Sequence, residues 1–116
     1  MVKKTNLKHP KLRPEILDMV RAYLALLEKE GHKIKKAIIF GSYAKNKADR
    51  QSDLDLCLVS PSFGQDGIEE IKYLLGKARW TNPFIEAHPY SPQEFETLPD
   101  PLLFEIKKHG TEVPLD

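Results

Sequence analysis

The first regular pattern along the chain is a row of apolar residues with the period of an α-helix. These side chains share one helix face at three- and four-residue spacing: Ile16, Leu17, Val20, Leu24 and Leu27. Pro14 suits the first turn of such a helix, and Gly31 suits the position just beyond its end. The pattern therefore predicts a helix over about residues 14–30.

Three short runs of β-branched and other apolar residues predict strands. Residues 37–40 stop at Gly41 and are apolar throughout, which is typical of a strand that is buried on both faces. Residues 54–59 form the second run, and residues 84–88 form the third. In the second run the leucines alternate with other residues and therefore share one face: Leu54, Leu56 and Leu58.

A second long helix is predicted between the second and third strands. Asp66 and Glu69 have the spacing of a capping box, with Asp66 as the N-cap of a helix that runs to about residue 78. We expect its apolar residues on one face, packed against the sheet: Ile68, Ile71, Leu74 and Leu75.

The predicted elements alternate in the order α-β-α-β-α-β-α. A short helix could open at residues 43–45, and Ser91 begins a further N-cap signature. A last helix over residues 101–109 follows an Asp-Pro cap and ends at Gly110. This alternation predicts an α/β (α+β) domain in which helices cover a sheet.

Composition is that of a single globular domain. Of the 116 residues, 41% are hydrophobic and 30% are charged. We divide the chain into a basic N-terminal arm, residues 1–12, and one domain, residues 13–116. It shows no transmembrane run and no signal peptide, so we expect a cytoplasmic protein without membrane contact. The single cysteine, Cys57, excludes an internal disulfide and a Cys-rich zinc site.

Charge is unevenly distributed along the chain. Residues 1–50 hold 13 Lys and Arg against 5 Asp and Glu, and residues 51–116 hold 5 against 12, although the net charge is +1. Such asymmetry can indicate a polyanionic partner, but two halves that fold together mix their charges on one surface. No helical DNA-binding domain is recognisable, so direct nucleic-acid binding and polymerase activity are not favoured.

Two carboxylates precede and begin the second predicted strand. Asp53 and Asp55 are separated by one residue and therefore share a face. Like charges repel unless a cation lies between them, and oxygen ligands suit Mg²⁺. Paired carboxylates can hold ions about 3.5–4 Å apart, as in two-metal phosphoryl-transfer sites. Taken alone, an Asp-x-Asp pair is more often solvated surface charge.

A possible anion site follows the first predicted strand. Gly41 would let a ligand approach backbone N–H groups in the turn, and the hydroxyl of Ser42 adds a donor for a phosphate oxygen. If the first two strands are antiparallel neighbours, this turn lies at the same end of the sheet as Asp53 and Asp55. The combination predicts a nucleoside triphosphate held by its phosphates and by Mg²⁺.

These segments together resemble the signature of a known family. Residues 40–45, Phe-Gly-Ser-Tyr-Ala-Lys, and residues 52–56, Ser-Asp-Leu-Asp-Leu, are similar to the motif of the DNA polymerase β-type nucleotidyltransferases. The chain length and element order resemble the smallest branch, the minimal nucleotidyltransferases of the MntA type. The resemblance implies a small mixed sheet covered by helices, with ATP as substrate and two Mg²⁺ ions.

The resemblance also implies roles for individual residues. The catalytic and metal-binding set would be three carboxylates: Asp53, Asp55 and Glu86. The set that binds the triphosphate would be Gly41, Ser42 and Lys45. Glu86 would complete one metal site and help to deprotonate the acceptor. Lys45-Asn46 stands where the family usually has Arg-Gly, which keeps the positive charge but loses the bidentate geometry of arginine.

The resemblance implies transfer of a nucleoside monophosphate, AMP from ATP, to an acceptor hydroxyl with release of pyrophosphate. The predicted sheet and its helices account for all of the residues, so we expect no separate domain that binds the acceptor. We therefore expect a partner protein to be the acceptor or to bring it. The resemblance implies a HEPN-domain helical protein, often an RNase toxin, whose tyrosine is modified by this chain acting as antitoxin.

Two other functions stay open. The chain could be an antitoxin that acts by binding alone, with a vestigial site, although the Asp53 and Asp55 pair argues against this. It could also modify a small molecule such as an aminoglycoside, although relatives of that type carry a large extra domain. Nucleotide transfer by the purified protein separates the first alternative from an enzyme.

Several polar and aromatic residues have simpler interpretations. Without the resemblance, Glu86 would be a surface acid on an edge strand. Cys57 is expected to be a small core residue, and Tyr73 and Trp80 are expected to pack rather than to stack on a base. His88 shares the face of Glu86 by strand alternation and could lie near the site.

Overall fold

A computed structural model describes residues 12–41 and 53–115 and places them in four helices and four strands. The elements are, in chain order, α1 (Pro14–Lys29), β1 (Lys36–Phe40), β2 (Leu54–Val59), α2 (Gly67–Thr81), β3 (Ile85–Tyr90), α3 (Pro92–Thr97), α4 (Pro101–His109) and β4 (Thr111–Glu112). The short helix predicted at 43–45, and residues 1–11 of the predicted arm, lie outside the described residues. Within the described ranges, none of the helices is both long enough and apolar enough to cross a bilayer.

The strands form one mixed sheet in the order β3-β2-β1-β4. β1 and β2 are antiparallel, with Phe40 opposite Asp55, and β2 and β3 are parallel, with Asp55 opposite Glu86. β4 pairs antiparallel with β1, where Thr111 lies opposite Ile39. The predicted architecture of a mixed sheet covered by helices is confirmed. β4 was not predicted, because a strand of two residues is too short to show a period.

Helices α1 and α2 cover one face of the sheet. β2 contributes to this core the leucines that share one face: Leu54, Leu56 and Leu58. α1 contributes four of the five residues that its period predicts, Ile16, Val20, Leu24 and Leu27, and the fifth, Leu17, is partly buried and packs against this core. The hydroxyl of Tyr23, also fully buried, donates a hydrogen bond to the backbone oxygen of Leu74 in α2 at 2.9 Å. The buried phenol therefore has a partner, as buried polar groups require.

Helices α3 and α4 lie on the opposite face of the sheet. The second core joins both helices to the remaining strand positions: Ile38, Phe40, Cys57, Val59, Tyr90, Phe95, Leu103 and Ile106. β1 is therefore buried on both faces, as predicted. Burial raises the pKa of the Cys57 thiol to about 12 and keeps it protonated, so Cys57 is the small core residue that was expected.

The orientation of α2 differs from the prediction. Leu74 and Ala78 face the core, whereas Ile68, Ile71 and Leu75 are 71%, 50% and 49% exposed. The helix is therefore rotated relative to the face that its apolar spacing indicated. The buried residues Leu74 and Ala78 are four apart and share a face, whereas the three exposed apolar residues lie on another part of the helix surface.

Polar contacts between α1 and α2 accompany this rotation. Glu30, just after α1, accepts a hydrogen bond from the hydroxyl of Tyr73 at 2.5 Å and lies 2.6 Å from the ammonium of Lys77. Tyr73 also packs against the ring of His32, so its predicted packing role is confirmed. Trp80 is 84% exposed, and the same expectation was wrong for that residue.

The predicted helix termini are largely correct. Gly31 follows α1 with φ of 99°, in the left-handed region that glycine adopts without strain. Ser91 and Glu94 form a complete capping box at α3, and the carboxylate of Asp100 accepts a hydrogen bond from the backbone N–H of Leu102 at α4. Local signals predict these termini well because their contacts reach only a few residues.

The box predicted at α2 is only half correct. Asp66 accepts a hydrogen bond from the N–H of Glu69, as predicted, but Glu69 does not return one. Glu70 instead accepts three hydrogen bonds, from the backbone N–H groups of Gly64, Gln65 and Asp66. The backbone of the loop before α2 is therefore hydrogen-bonded to Glu70, and not to Glu69 as the capping-box spacing indicated.

Candidate metal and nucleotide site

Strand register brings together two of the carboxylates that the sequence singled out. Asp55, the second residue of β2, lies between Phe40 of β1 and Glu86 of β3. Alternation along β2 assigns Asp55 to the same face as Cys57, the face of the sheet that α3 and α4 cover. Its side chain is 27% exposed, whereas Glu86 is exposed.

Asp55 and Glu86 are close enough to perturb each other. The pKa of Glu86 is raised above its ordinary value, first by desolvation and then by a hydrogen bond and charge repulsion from Asp55. The charge of Asp53 acts in the same direction, and that of His88 acts in the opposite one. Two carboxylates in this arrangement are stabilised by a cation between them, because it cancels the repulsion.

His88 completes the cluster from two positions further along β3. Its Nε2 lies 3.6 Å from Oδ1 of Asp55, and its ring meets the ring of Phe40 edge-on with centroids 5.1 Å apart. Nε2 is buried and has no hydrogen-bond partner in the part of the chain that the structure describes. The sequence analysis placed His88 near the site, because it shares the face of Glu86, but it did not predict that His88 is a metal ligand.

The donor atoms of this cluster suit a divalent cation. One ligand atom from each of Asp55, Glu86 and His88 can be chosen so that all three lie within 4.8 Å of one another. Two carboxylate oxygens and an imidazole nitrogen form a donor set that divalent metals bind in proteins. Asp53, which is exposed just before β2, is not a member of this close group. Its role as a metal ligand stays a prediction.

Gly41 is needed where β1 ends. Its φ is 76°, which strains any residue with a side chain, and a Cβ there would lie 2.5 Å from Oδ2 of Asp55. Among the described residues that are not its neighbours in the chain, the atoms nearest to such a Cβ belong to the Asp55 carboxylate, so the glycine permits the turn and the close approach of the acid. Ser42 and Lys45, predicted to bind the triphosphate, lie outside the described residues.

Comparisons with known proteins agree with this architecture. A family model described as a nucleotidyltransferase domain matches residues 20–110. The fold is similar to the crystal structure of a proposed nucleotidyltransferase from Sulfolobus solfataricus, with a TM-score of 0.56 over 71% of this chain and 72% of that one. Sequence identity in that comparison is 16%, so the likeness concerns the fold.

A sequence relative is a proposed protein adenylyltransferase from Methanocaldococcus jannaschii. The two chains are 45% identical over 42 residues, which is 36% of this chain and 42% of the relative. The match therefore spans less than half of the relative's length. The family model covers most of the described domain, and the fold agrees with it. The chain thus belongs to the nucleotidyltransferase family of enzymes, as the motif around Gly41 and Asp55 predicted.

Proposed function

We propose that the protein transfers AMP from ATP to a hydroxyl group of a partner protein, with divalent cations at the site of Asp55 and Glu86. The observation that carries this proposal is the pairing of these two carboxylates across β2 and β3, within a nucleotidyltransferase fold. The resemblance implies two Mg²⁺ ions, with Asp53 as a further ligand. Catalysis then rests on positioning and charge neutralisation.

The proposed reaction is an in-line displacement at the α-phosphorus of ATP. The acceptor oxygen forms a bond to the α-phosphorus of ATP, the bond to the bridging oxygen breaks, and pyrophosphate leaves with the electron pair. Glu86 is the candidate acceptor for the hydroxyl proton, because it is exposed beside the anchored Asp55. Bound divalent ions would supply neutralisation of the phosphate charges. The predicted phosphate contacts are Gly41, Ser42 and Lys45.

Two observations support a protein as the acceptor. The Methanocaldococcus jannaschii relative is named as a proposed protein adenylyltransferase. In addition, three large apolar side chains on one face of α2, at three- and four-residue spacing, are exposed: Ile68, Ile71 and Leu75. Exposed apolar side chains grouped in this way are typical of surfaces that contact other proteins.

The family resemblance extends the proposal to a partner class. A HEPN-domain helical protein acting as a toxin would be the substrate, a tyrosine hydroxyl would be the acceptor, and this chain would be the antitoxin. Modification is favoured over inhibition by contact alone because the site keeps the paired acids Asp55 and Glu86 side by side.

Co-expression with a HEPN-domain helical protein, followed by intact-mass spectrometry, tests the proposal. We expect the partner's mass to rise by one or more AMP units, and Asp55→Asn to lower the modified fraction by more than about 100-fold, since even indirect partners of a metal typically contribute 10–100-fold. Asp18→Asn, an exposed carboxylate on α1, is the matched control and should leave transfer unchanged.

The alternatives give distinct outcomes in the same experiment. An inhibited partner with unchanged mass contradicts transfer and favours an antitoxin that acts by contact. If no complex forms and AMP appears on an added aminoglycoside instead, the acceptor is a small molecule. Equal transfer by the wild-type protein and Asp55→Asn would remove Asp55 from the site.

A further inference from the structure

We infer that His88 is a direct metal ligand, and that it makes the ion site of Asp55 and Glu86 prefer a transition metal of the Co²⁺ and Zn²⁺ class over Mg²⁺. The inference rests on the proposed function only in taking Asp55 and Glu86 as ion ligands. The inference adds His88, two positions beyond Glu86 on β3, as a third ligand and states which metal this ligand favours.

The distances suit one ion shared by Asp55 and His88. Metal–nitrogen and metal–oxygen bonds of about 2.1 Å allow two ligand atoms of one ion to be up to about 4.2 Å apart. Nε2 of His88 lies 3.6 Å from Oδ1 of Asp55, within that limit. Glu86 belongs to the same group within 4.8 Å, so a small side-chain movement brings its carboxylate to the same ion.

The environment of Nε2 leaves it in need of a partner. The atom is buried, and within the described residues no group hydrogen-bonds to it. The distance of 3.6 Å to Asp55 is too long for a hydrogen bond. Because a buried polar atom without a partner is unfavourable, a cation between Nε2 and the carboxylates would satisfy all three ligands at once.

The neighbours of the ring keep His88 in this position. Phe40 meets the imidazole edge-on, and the strand register places His88 opposite the fully buried Cys57. The ring is therefore held by packing, and its 28% exposed side chain reaches the surface beside Asp55. A ligand that is positioned before the metal arrives loses little conformational freedom on binding.

The identity of the donor determines the preferred metal. Mg²⁺ favours oxygen ligands and retains its water, whereas imidazole nitrogen suits softer divalent ions of the first transition row. Two carboxylates alone would accept Mg²⁺ readily. Adding the nitrogen of His88 strengthens the binding of Co²⁺ or Zn²⁺ much more than the binding of Mg²⁺.

Calorimetric titration with Co²⁺ alone and with Mg²⁺ alone tests this selectivity. We expect His88→Gln to weaken Co²⁺ binding by at least about tenfold, the effect that even outer-shell partners of a metal produce, and to leave Mg²⁺ binding roughly unchanged. His32→Gln is the matched control, because Nδ1 of His32 is also buried and has no hydrogen-bond partner among the described residues, but its ring packs against Phe63 and Tyr73.

Pulsed electron paramagnetic resonance on the wild-type protein loaded with Mn²⁺ needs no variant. Coupling of the ion to a nitrogen nucleus, changed by ¹⁵N labelling of histidine, would support the inference. Absence of nitrogen coupling, or equal Co²⁺ affinity in His88→Gln and the wild type, would overturn it. If Asp55→Asn weakens binding of both ions while His88→Gln weakens neither, this inference fails and the proposed function stands. If Asp55→Asn changes neither, the proposed ion site fails as well.

Discussion

At the scale of the residue, Asp55 is the side chain that the other residues of the candidate site contact. Its carboxylate lies against Gly41, beside Glu86 and near His88, so that β3 and the turn after β1 meet at one acidic side chain of β2. In the proposed function, a cation bound to this side chain would compensate the negative charge that is concentrated here. The same contacts explain why the residue after β1 has no side chain.

Replacing Gly41 should therefore damage the site through Asp55. We expect Gly41→Ala to abolish the rise in melting temperature caused by ATP with a divalent ion, because Cβ displaces the Asp55 carboxylate. The positive φ adds a loss of stability of about 1 kcal/mol. Thermal melts with and without ATP measure both effects.

Gly76 provides the control for this substitution. It lies within α2, and a Cβ built there has no neighbour within 4 Å among the described residues, apart from the backbone of the helix around it. Gly76→Ala should keep the ATP-dependent shift and should raise stability by about 0.5–1 kcal/mol, since alanine is the better helix former. A normal shift in Gly41→Ala would show that the approach of Asp55 to Gly41 is unimportant for nucleotide binding.

At the scale of the element, the start of α2 is fixed by a neighbouring carboxylate. Desolvation tends to raise the pKa of Glu70, but hydrogen bonds from the N–H groups of Gly64, Asp66 and Gln65 outweigh it and hold the pKa below its ordinary value. The ionised carboxylate thus replaces part of the capping box and closes the loop between β2 and α2.

This contact predicts a pH-dependent contribution of Glu70 to stability. Because the pKa is lowered in the folded protein, the contribution is present above the ordinary pKa of 4.5 and is lost as the pH falls through the lowered value. We expect Glu70→Gln to lower the free energy of unfolding by about 1 kcal/mol near neutral pH and by nothing at about pH 2. Urea denaturation at several pH values measures it.

The preceding glutamate is the control for this prediction. Glu69 forms an exposed ion pair with Lys72 at 3.6 Å, which contributes little. Glu69→Gln should therefore change stability by less than about 0.5 kcal/mol at any pH. A Glu70→Gln effect that is equally large at low pH would attribute the loss to the altered shape of the side chain and not to its charge.

At the scale of the whole molecule, the rotation of α2 separates a buried face from an exposed one. Leu74 faces the sheet and α1, whereas Leu75, the next residue, is 49% exposed. The sequence period alone assigned both residues to one face. In the observed orientation, α2 contacts α1 through the hydrogen bond of Tyr23 and through the contacts of Glu30.

Two alanine substitutions distinguish the two orientations. Leu74→Ala should lower the free energy of unfolding by about 3 kcal/mol, because it leaves a cavity in the core. Leu75→Ala, of the same chemistry, should cost less than about 0.5 kcal/mol. Chemical denaturation of both variants provides the comparison, and equal losses would contradict the observed rotation.

The sequence by itself determined the features that depend on near neighbours. The leucines of β2, the buried Cys57, the cap at Ser91 and the turn at Gly31 follow from the alternation of strands and the requirements of helix ends. The motif around Gly41 and Asp55 also indicated the family before any fold was known. Each of these signals lies within a few residues of the chain.

Only the tertiary structure decided the features that depend on distant segments. The parallel register of β2 and β3 places Glu86 beside Asp55, and the same register brings Nε2 of His88 to the pair. The rotation of α2 and the pairing of β4 with β1 were likewise set by partners far along the chain. Periodicity fixes which residues share a face, but it cannot fix which strand lies alongside or which face of a helix its neighbours cover, because packing between elements decides both.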